Sequence, residues 1–98
     1  MKTSELTEAA LDWAAHMVLN PDEHIKPGCS APPYSSDWLW CGPLIEQERM
    51  ELEHDGFVWW ARIRADEDFS GHTPLVAAMR CFVASKLGDT IEIPEELQ

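Results

Sequence analysis

Asp66-Glu-Asp68-Phe-Ser70-Gly71 carries the strongest chemical promise in this chain, because it sets oxygen donors and a glycine at the first, third, fifth and sixth places of an EF-hand calcium loop. The pattern then breaks: Ala77 stands at the twelfth place, where a bidentate glutamate is needed, and Pro74 at the ninth. A solvated acidic turn running into a helix cap accounts for the string without a metal. His24, Cys29, Cys41 and His54 have the side chains for zinc, but no two form the close pair that builds half a tetrahedral site. Ser35, Ser36, Asp37 and the four histidines supply the residue types of a hydrolase, yet no strained glycine turn presents either serine as a nucleophile. No catalytic, cofactor-binding or metal-ligating residue is therefore assigned, and no cofactor is expected.

The elements that position the remaining side chains can be read along the chain. Residues 4–19 follow a helical wheel that gathers Leu6, Ala9, Ala10, Trp13, Ala14 and Met17 on the core side and sets Glu8, Asp12 and Ala15 opposite. Ser4 or Thr3 can cap this helix, Asp12 and His16 form an i,i+4 pair at its solvent edge, and Asn20-Pro21 end it. From Pro21 to Pro43, five prolines and two glycines predict a long loop, held down by the aromatic rings of Tyr34, Trp38 and Trp40.

Residues 49–64 read as a β-hairpin. Asp55-Gly56 suits a two-residue type I′ turn, which pairs His54 with Phe57, Leu52 with Trp59 and Met50 with Ala61. One side then collects Met50, Leu52, His54, Phe57, Trp59, Ala61 and Ile63, while the other carries Glu51, Glu53, Val58, Trp60, Arg62 and Arg64, with Glu51 diagonal to Arg62. Thr73 caps a helix over 74–87, Pro74 occupies its first position and Gly88 closes it. Its apolar arc is Leu75, Val76, Met79, Phe82, Val83 and Leu87, with Ala77, Arg80 and Ala84 outside. Thr90-Ile-Glu-Ile93 alternates and stops at Pro94, so a short third strand is expected there. The expected fold is α+β: one domain over 1–98 with an N-terminal helix, an antiparallel β-hairpin plus a short third strand, and a C-terminal helix packed on the sheet.

Eighteen acidic residues against seven basic ones give a net charge of −11, which repels phosphate backbones and anionic lipid at long range. Direct nucleic-acid or membrane binding is not expected. An ordinary acidic surface is the plain reading; the sharper one is a surface that imitates nucleic-acid charge or docks on a basic protein groove. No apolar run reaches the roughly 20 residues of a bilayer span, and the start is polar, so a cytoplasmic protein is expected. Three cysteines at no paired spacing fit free thiols in a reducing compartment.

Trp60 falls on the charged side of the hairpin, where either the segment with Trp38 and Trp40 covers it or a partner does. Trp, Tyr and Arg together are what binding hot spots are made of, so Tyr34, Asp37, Trp38, Trp60 and Arg62 form the candidate interface. Its expected occupant is another protein, or a second copy of the chain meeting it through the same hairpin face. The alternative is a small-ligand or nucleotide-processing enzyme with a pocket at the 34–43 loop.

Thr3-Ser-Glu-Leu6 with Ala10-Leu-Asp-Trp-Ala14, Tyr34-Ser-Ser-Asp-Trp38 with Gly42-Pro-Leu-Ile-Glu46, and above all Thr73-Pro-Leu-Val-Ala-Ala-Met-Arg-Cys-Phe-Val-Ala-Ser-Lys-Leu-Gly-Asp89 with Ile93-Pro-Glu-Glu96 resemble the NinX-like proteins of lambdoid phages and prophages, a group of unknown function. Asn20 to Pro33 and Trp40-Cys41 depart from that pattern. The resemblance implies a phage or prophage origin and action inside a bacterium, so the protein partner is expected to be a host or phage protein, and it supplies no catalytic residue.

Overall fold

The computed structural model describes residues 8–19, 32–63 and 68–88. Three helices and three strands follow in the order α1 (Glu8–Leu19), α2 (Trp38–Glu48), β1 (Glu51–His54), β2 (Trp59–Arg62), β3 (Phe69–Gly71) and α3 (Pro74–Leu87). The strands form one antiparallel sheet in the order β1-β2-β3, and α3 packs on it, so the fold is α+β as expected. The strand expected at 90–93 lies outside the described residues. The third strand seen here is β3, formed by the second half of the acidic string read above as a turn: Phe69 pairs with the small Ala61 and packs on the core, which draws the segment onto β2.

Helix α3 begins and ends where its cap residues place it. Thr73 Oγ1 accepts the Val76 N–H at 3.1 Å, Pro74 follows as the first helical residue, and Gly88 closes the last turn with φ of +90°. Its burial is wider than one arc. Ala77 and Ala84, expected outside, are buried, and Leu87, expected inside, is exposed, because α1, α2, β2 and β3 all pack against this helix. Burying Phe82, Met79 and Leu75 contributes about 1.5–3 kcal/mol each, a large fraction of what holds a domain this small.

Helix α1 is turned relative to its expected face. Ala10, Leu11, Ala14 and Ala15 are buried, whereas Trp13 and Met17 are half-buried. A run of alanines lets the helix approach α3 closely, so Ala15 goes inward with Leu11. Asp12, expected at the solvent edge, accepts the Ser35 N–H at 2.8 Å and anchors the segment before α2.

The larger correction is α2, Trp38–Glu48, whose first half falls where a loop was expected up to Pro43. Pro43 misled, since a helix interior loses a hydrogen bond there. Asp37 compensates at the start: it takes the N-cap position, and its Oδ1 accepts the Leu39 N–H at 2.9 Å. At the end Arg49 adopts a left-handed conformation, φ 54°, and the chain turns into β1 with Met50 N–H on the Ile45 carbonyl.

Helices α2 and α3 run in the same direction, in step. Trp38 lies beside the first turn of α3, Cys41 Sγ meets Met79 Sδ at 3.6 Å in the buried seam, and Glu48 pairs with Lys86 Nζ at 2.7 Å at the far end. The hairpins between them return the chain to its starting end, as parallel neighbours require.

The hairpin register differs from expectation by two residues: Leu52 faces Ala61 and His54 faces Trp59. The turn centres on Gly56-Phe57 rather than Asp55-Gly56, with φ of +101° at Gly56 and no positive φ at Phe57, the pattern of a type II′ turn. A shift of two keeps every strand residue on its expected side, since side chains alternate with period two. Phe57 alone changes role, standing 90% exposed at the tip.

Candidate functional site

The five candidate interface residues divide between two places. Trp60 and Arg62 lie on the sheet face that also carries Glu51 and Glu53, opposite the face whose Leu52, Ala61 and Phe69 meet the core. Tyr34 lies in the turn that leads into α2, Asp37 is the cap of that helix and Trp38 its first residue, and α2 packs on α3. Tyr34 is buried, with its ring edge-on to Trp40 at 5.8 Å. Burial, with the Asp12 carboxylate second, pushes its phenol pKa up. Asp37 caps α2, and Trp38 is 55% exposed. Trp38 and Trp40, expected as the lid over Trp60, thus serve elsewhere; Trp60 is half-buried and tied down by its own turn.

That turn is built on Asp55. Its Oδ1 accepts the Phe57 and Val58 N–H groups at 2.8 and 2.9 Å, and its Oδ2 accepts the Trp60 indole N–H at 2.8 Å. The Trp60 bond first, and the two backbone donors after it, hold this carboxyl at about 2, below its usual 3.8. His54 adds a ring packed on Trp59, centroids 4.9 Å apart, with Nδ1 accepting the Gly56 N–H.

Beyond the indole the same face is a charge cluster. Arg62 donates to Asp68 at 2.7 Å, to Glu53 at 3.1 Å and to Glu51 at 3.2 Å, and these three carboxylates, Asp68 foremost, hold it firmly protonated. Glu51 therefore sits opposite Arg62 rather than diagonal to it. Three carboxylates on one guanidinium leave the cluster negative, and the Glu51 and Glu53 side chains are 71% and 64% exposed.

The second place is a cleft of about 460 Å³ between the starts of α2 and α3. Ser35, Ser36 and Trp38 form one wall; His72, Thr73 and the first turn of α3 form the other. Ser35 is 4% exposed, and its hydroxyl has no partner among the described residues, although its N–H is spoken for by Asp12. Among the described wall residues His72 is the only titratable one. The pocket expected at the 34–43 loop has its counterpart in this cleft, of which Ser35, Ser36 and Trp38 form one wall.

Cys41 and His54, two of the residues with zinc-binding side chains, are not brought together. Cys41 is buried against Met79, where burial first and Asp12 second push its thiol to about 12, and His54 is exposed on the hairpin. His24 and Cys29 lie outside the described residues, as do Asp66 and Glu67 of the calcium-like string. Among the described residues no group of three His, Cys, Asp or Glu is placed to hold a metal, and no helix is long and apolar enough to cross a membrane.

Sequence reasoning singled out Asp55, Asp68 and Ser35 for other roles than the ones they have here. An aspartate immediately before the turn glycine is a usable signal for the first, since Asp side chains accept backbone N–H groups two residues on. The other two depend on β3 and α2 and have no local signal.

Comparison with protein families matches residues 22–86 to the family described as Bacteriophage P22, NinX. No curated protein matches the chain.

Proposed function

Because the chain belongs to the Bacteriophage P22, NinX family, we propose that it is a small acidic accessory protein of a bacteriophage or prophage, acting in the host cytoplasm by binding a basic surface of a host or phage protein. The observation that carries this reading is the cluster on the outer sheet face, where Arg62 is saturated by Glu51, Glu53 and Asp68 next to the half-buried Trp60. With Arg62 already neutralised, the face offers carboxylate oxygens around an aromatic anchor, the combination that a Lys- or Arg-lined groove recognises, and a net charge of −11 steers such an encounter. Carboxylates so arranged stand in for phosphates if the groove normally holds nucleic acid.

The test is affinity capture from a bacterial lysate with the wild type, the Glu51→Lys/Glu53→Lys double variant and Trp60→Glu. Proteins retained by the wild type, released by salt and lost by both variants support the reading; equal recovery by all three removes this face. A second copy of the chain is the competing occupant of the same face, and sedimentation equilibrium of wild type against Trp60→Glu detects it.

A further inference from the structure

We infer that the outer edge of β1 takes an extended basic segment of the partner protein as an added strand of the sheet, antiparallel to Glu51–His54 and with a lysine or arginine at every second position. The inference rests on the proposed binding of a basic protein surface and adds how that surface is held. Backbone direction decides which groups are on offer. Asp55 N–H bonds to the Val58 carbonyl at 3.3 Å, and Glu53–Trp60 and Glu51–Arg62 follow in the same register. Bonded pairs alternate along an antiparallel ladder, so Glu51 and Glu53 turn their backbone groups toward β2, and Leu52 and His54 turn theirs outward. Among the described residues β1 pairs with β2 alone, and nothing bonds to those outward groups.

The opposite edge of the sheet is guarded. By the same alternation Ala61–Phe69 and Trp59–Gly71 are the bonded pairs of β2 and β3, so Ser70 faces out, and its carbonyl accepts a hydrogen bond from Arg80 Nη1 at 2.8 Å. A row of unpaired backbone groups such as that of β1 is a template for another chain. This strand is also held ready at both ends: Met50 N–H bonds to the Ile45 carbonyl before it, and the Asp55 carboxylate fixes the turn after it. Adding a strand therefore costs little ordering on this side.

Charge selects the occupant. Glu51 and Glu53 stand on the outer face along this edge, with most of each side chain exposed. A second copy of β1 laid antiparallel would set glutamates against acidic residues, which is destabilising, whereas lysine or arginine at the facing positions is attracted. On the inner face Leu52 is half-buried against the core and favours an apolar β-former opposite it. Main-chain bonds then supply affinity, and the alternation of basic and apolar side chains supplies selectivity.

The experiment titrates the ¹⁵N-labelled protein with the capped peptide Thr-Lys-Val-Lys-Val-Lys-Thr and, in parallel, with Thr-Glu-Val-Glu-Val-Glu-Thr. The lysine peptide should bind saturably and at least about tenfold more tightly, with the gap narrowing as salt rises. Hydrogen exchange of the Leu52 and His54 amides should be slowed about fivefold or more by the bound peptide, while those of Glu51 and Glu53 are slow throughout. N-methylation separates strand addition from charge attraction. Methyl groups on the valine nitrogens remove the bonds to β1 and should weaken binding about tenfold or more, whereas methyl groups on the lysine nitrogens, which face away, should change it by less than about threefold. No saturable binding, or equal effects of the two methylated peptides, overturns the inference. The proposed function fails by a different result, lysate capture indifferent to Glu51→Lys/Glu53→Lys and Trp60→Glu. Leu52 and His54 amides already slow in dilute free protein assign the edge to another part of the chain, and slowing that grows with protein concentration assigns it to a second copy. Either result overturns the inference as well.

Discussion

Trp60 and Asp55 are five residues apart and joined across the hairpin end, the indole N–H donating to Oδ2 at 2.8 Å. Because the other oxygen of the same carboxylate holds the Phe57 and Val58 N–H groups, the turn and the indole on the outer face form one unit. The placement of the turn at Gly56-Phe57 follows from this. A turn centred on Asp55-Gly56 would put Asp55 at its first central position and remove the carboxylate from the N–H groups it now collects.

Asp55 is expected to titrate at about 2 in the folded protein, against the ordinary 3.8. The sign follows from linkage: a depressed carboxyl contributes stability that is present above the ordinary value and is lost as pH falls through the folded one. Trp60→Phe removes the leading cause and should move the titration up toward 3.8, read from the Asp55 side-chain carbon in NMR spectra. An unmoved titration would show that the backbone donors suffice alone.

Gly71→Ala should be among the most damaging single-methyl additions to the chain. Its Cβ would stand 2.5 Å from the Ala77 nitrogen and 3.0 Å from Val76 Cγ1, so β3 and the first turn of α3 would have to separate. A loss of about 1–3 kcal/mol is expected in urea denaturation. A wild-type midpoint in the variant would mean that β3 does not lie this close.

Two hydroxyl deletions at the ends of one cleft should behave oppositely. Thr73→Ala removes the acceptor of the Val76 N–H and should cost about 1 kcal/mol. Ser35→Ala removes a buried hydroxyl with no partner among the described residues and should be neutral or stabilising, because an unsatisfied group is deleted. Thermal melts of the two variants decide the matter, and a Ser35→Ala loss as large as that of Thr73→Ala would reveal a bond to Ser35 Oγ.

Cys41 should resist thiol reagents in the native state at pH 8, since its thiol ionises only at about 12. A raised acid adds stability that is present below its unfolded value, 9.0, and declines as pH climbs toward the folded one. Modification in a Cys29→Ser background should therefore follow the unfolding rate, and urea stability should decline above pH 9. Fast labelling of native protein would place this sulfur at the surface.

Legibility in the sequence depended on how local the cause was. Thr73, Pro74 and Gly88 act within a few residues of themselves, and α3 was placed to its ends. The sides of the hairpin strands were legible for a similar reason, although the turn was not: period-two alternation survives a shift of two, while the choice between Asp55-Gly56 and Gly56-Phe57 is made by a side chain reaching forward to Trp60. Helix α2 was missed because Pro43 outweighs Asp37 in any local scale. Packing on α3 through Cys41 and Leu44 decides otherwise. The candidate interface was chosen by residue type, and type does not say that Tyr34 and Trp60 end up on different elements.

The Glu48–Lys86 pair ties together the trailing ends of two rods that lie side by side, and their leading ends frame the open cleft. Between those ends the helices are joined by buried Cys41 and Met79, so the seam is held by packing along its middle and by charge only at its far end. A half-exposed ion pair of this kind contributes about 0.2–1 kcal/mol, and the closeness of the two rods therefore rests on the sulfur contact more than on the lysine.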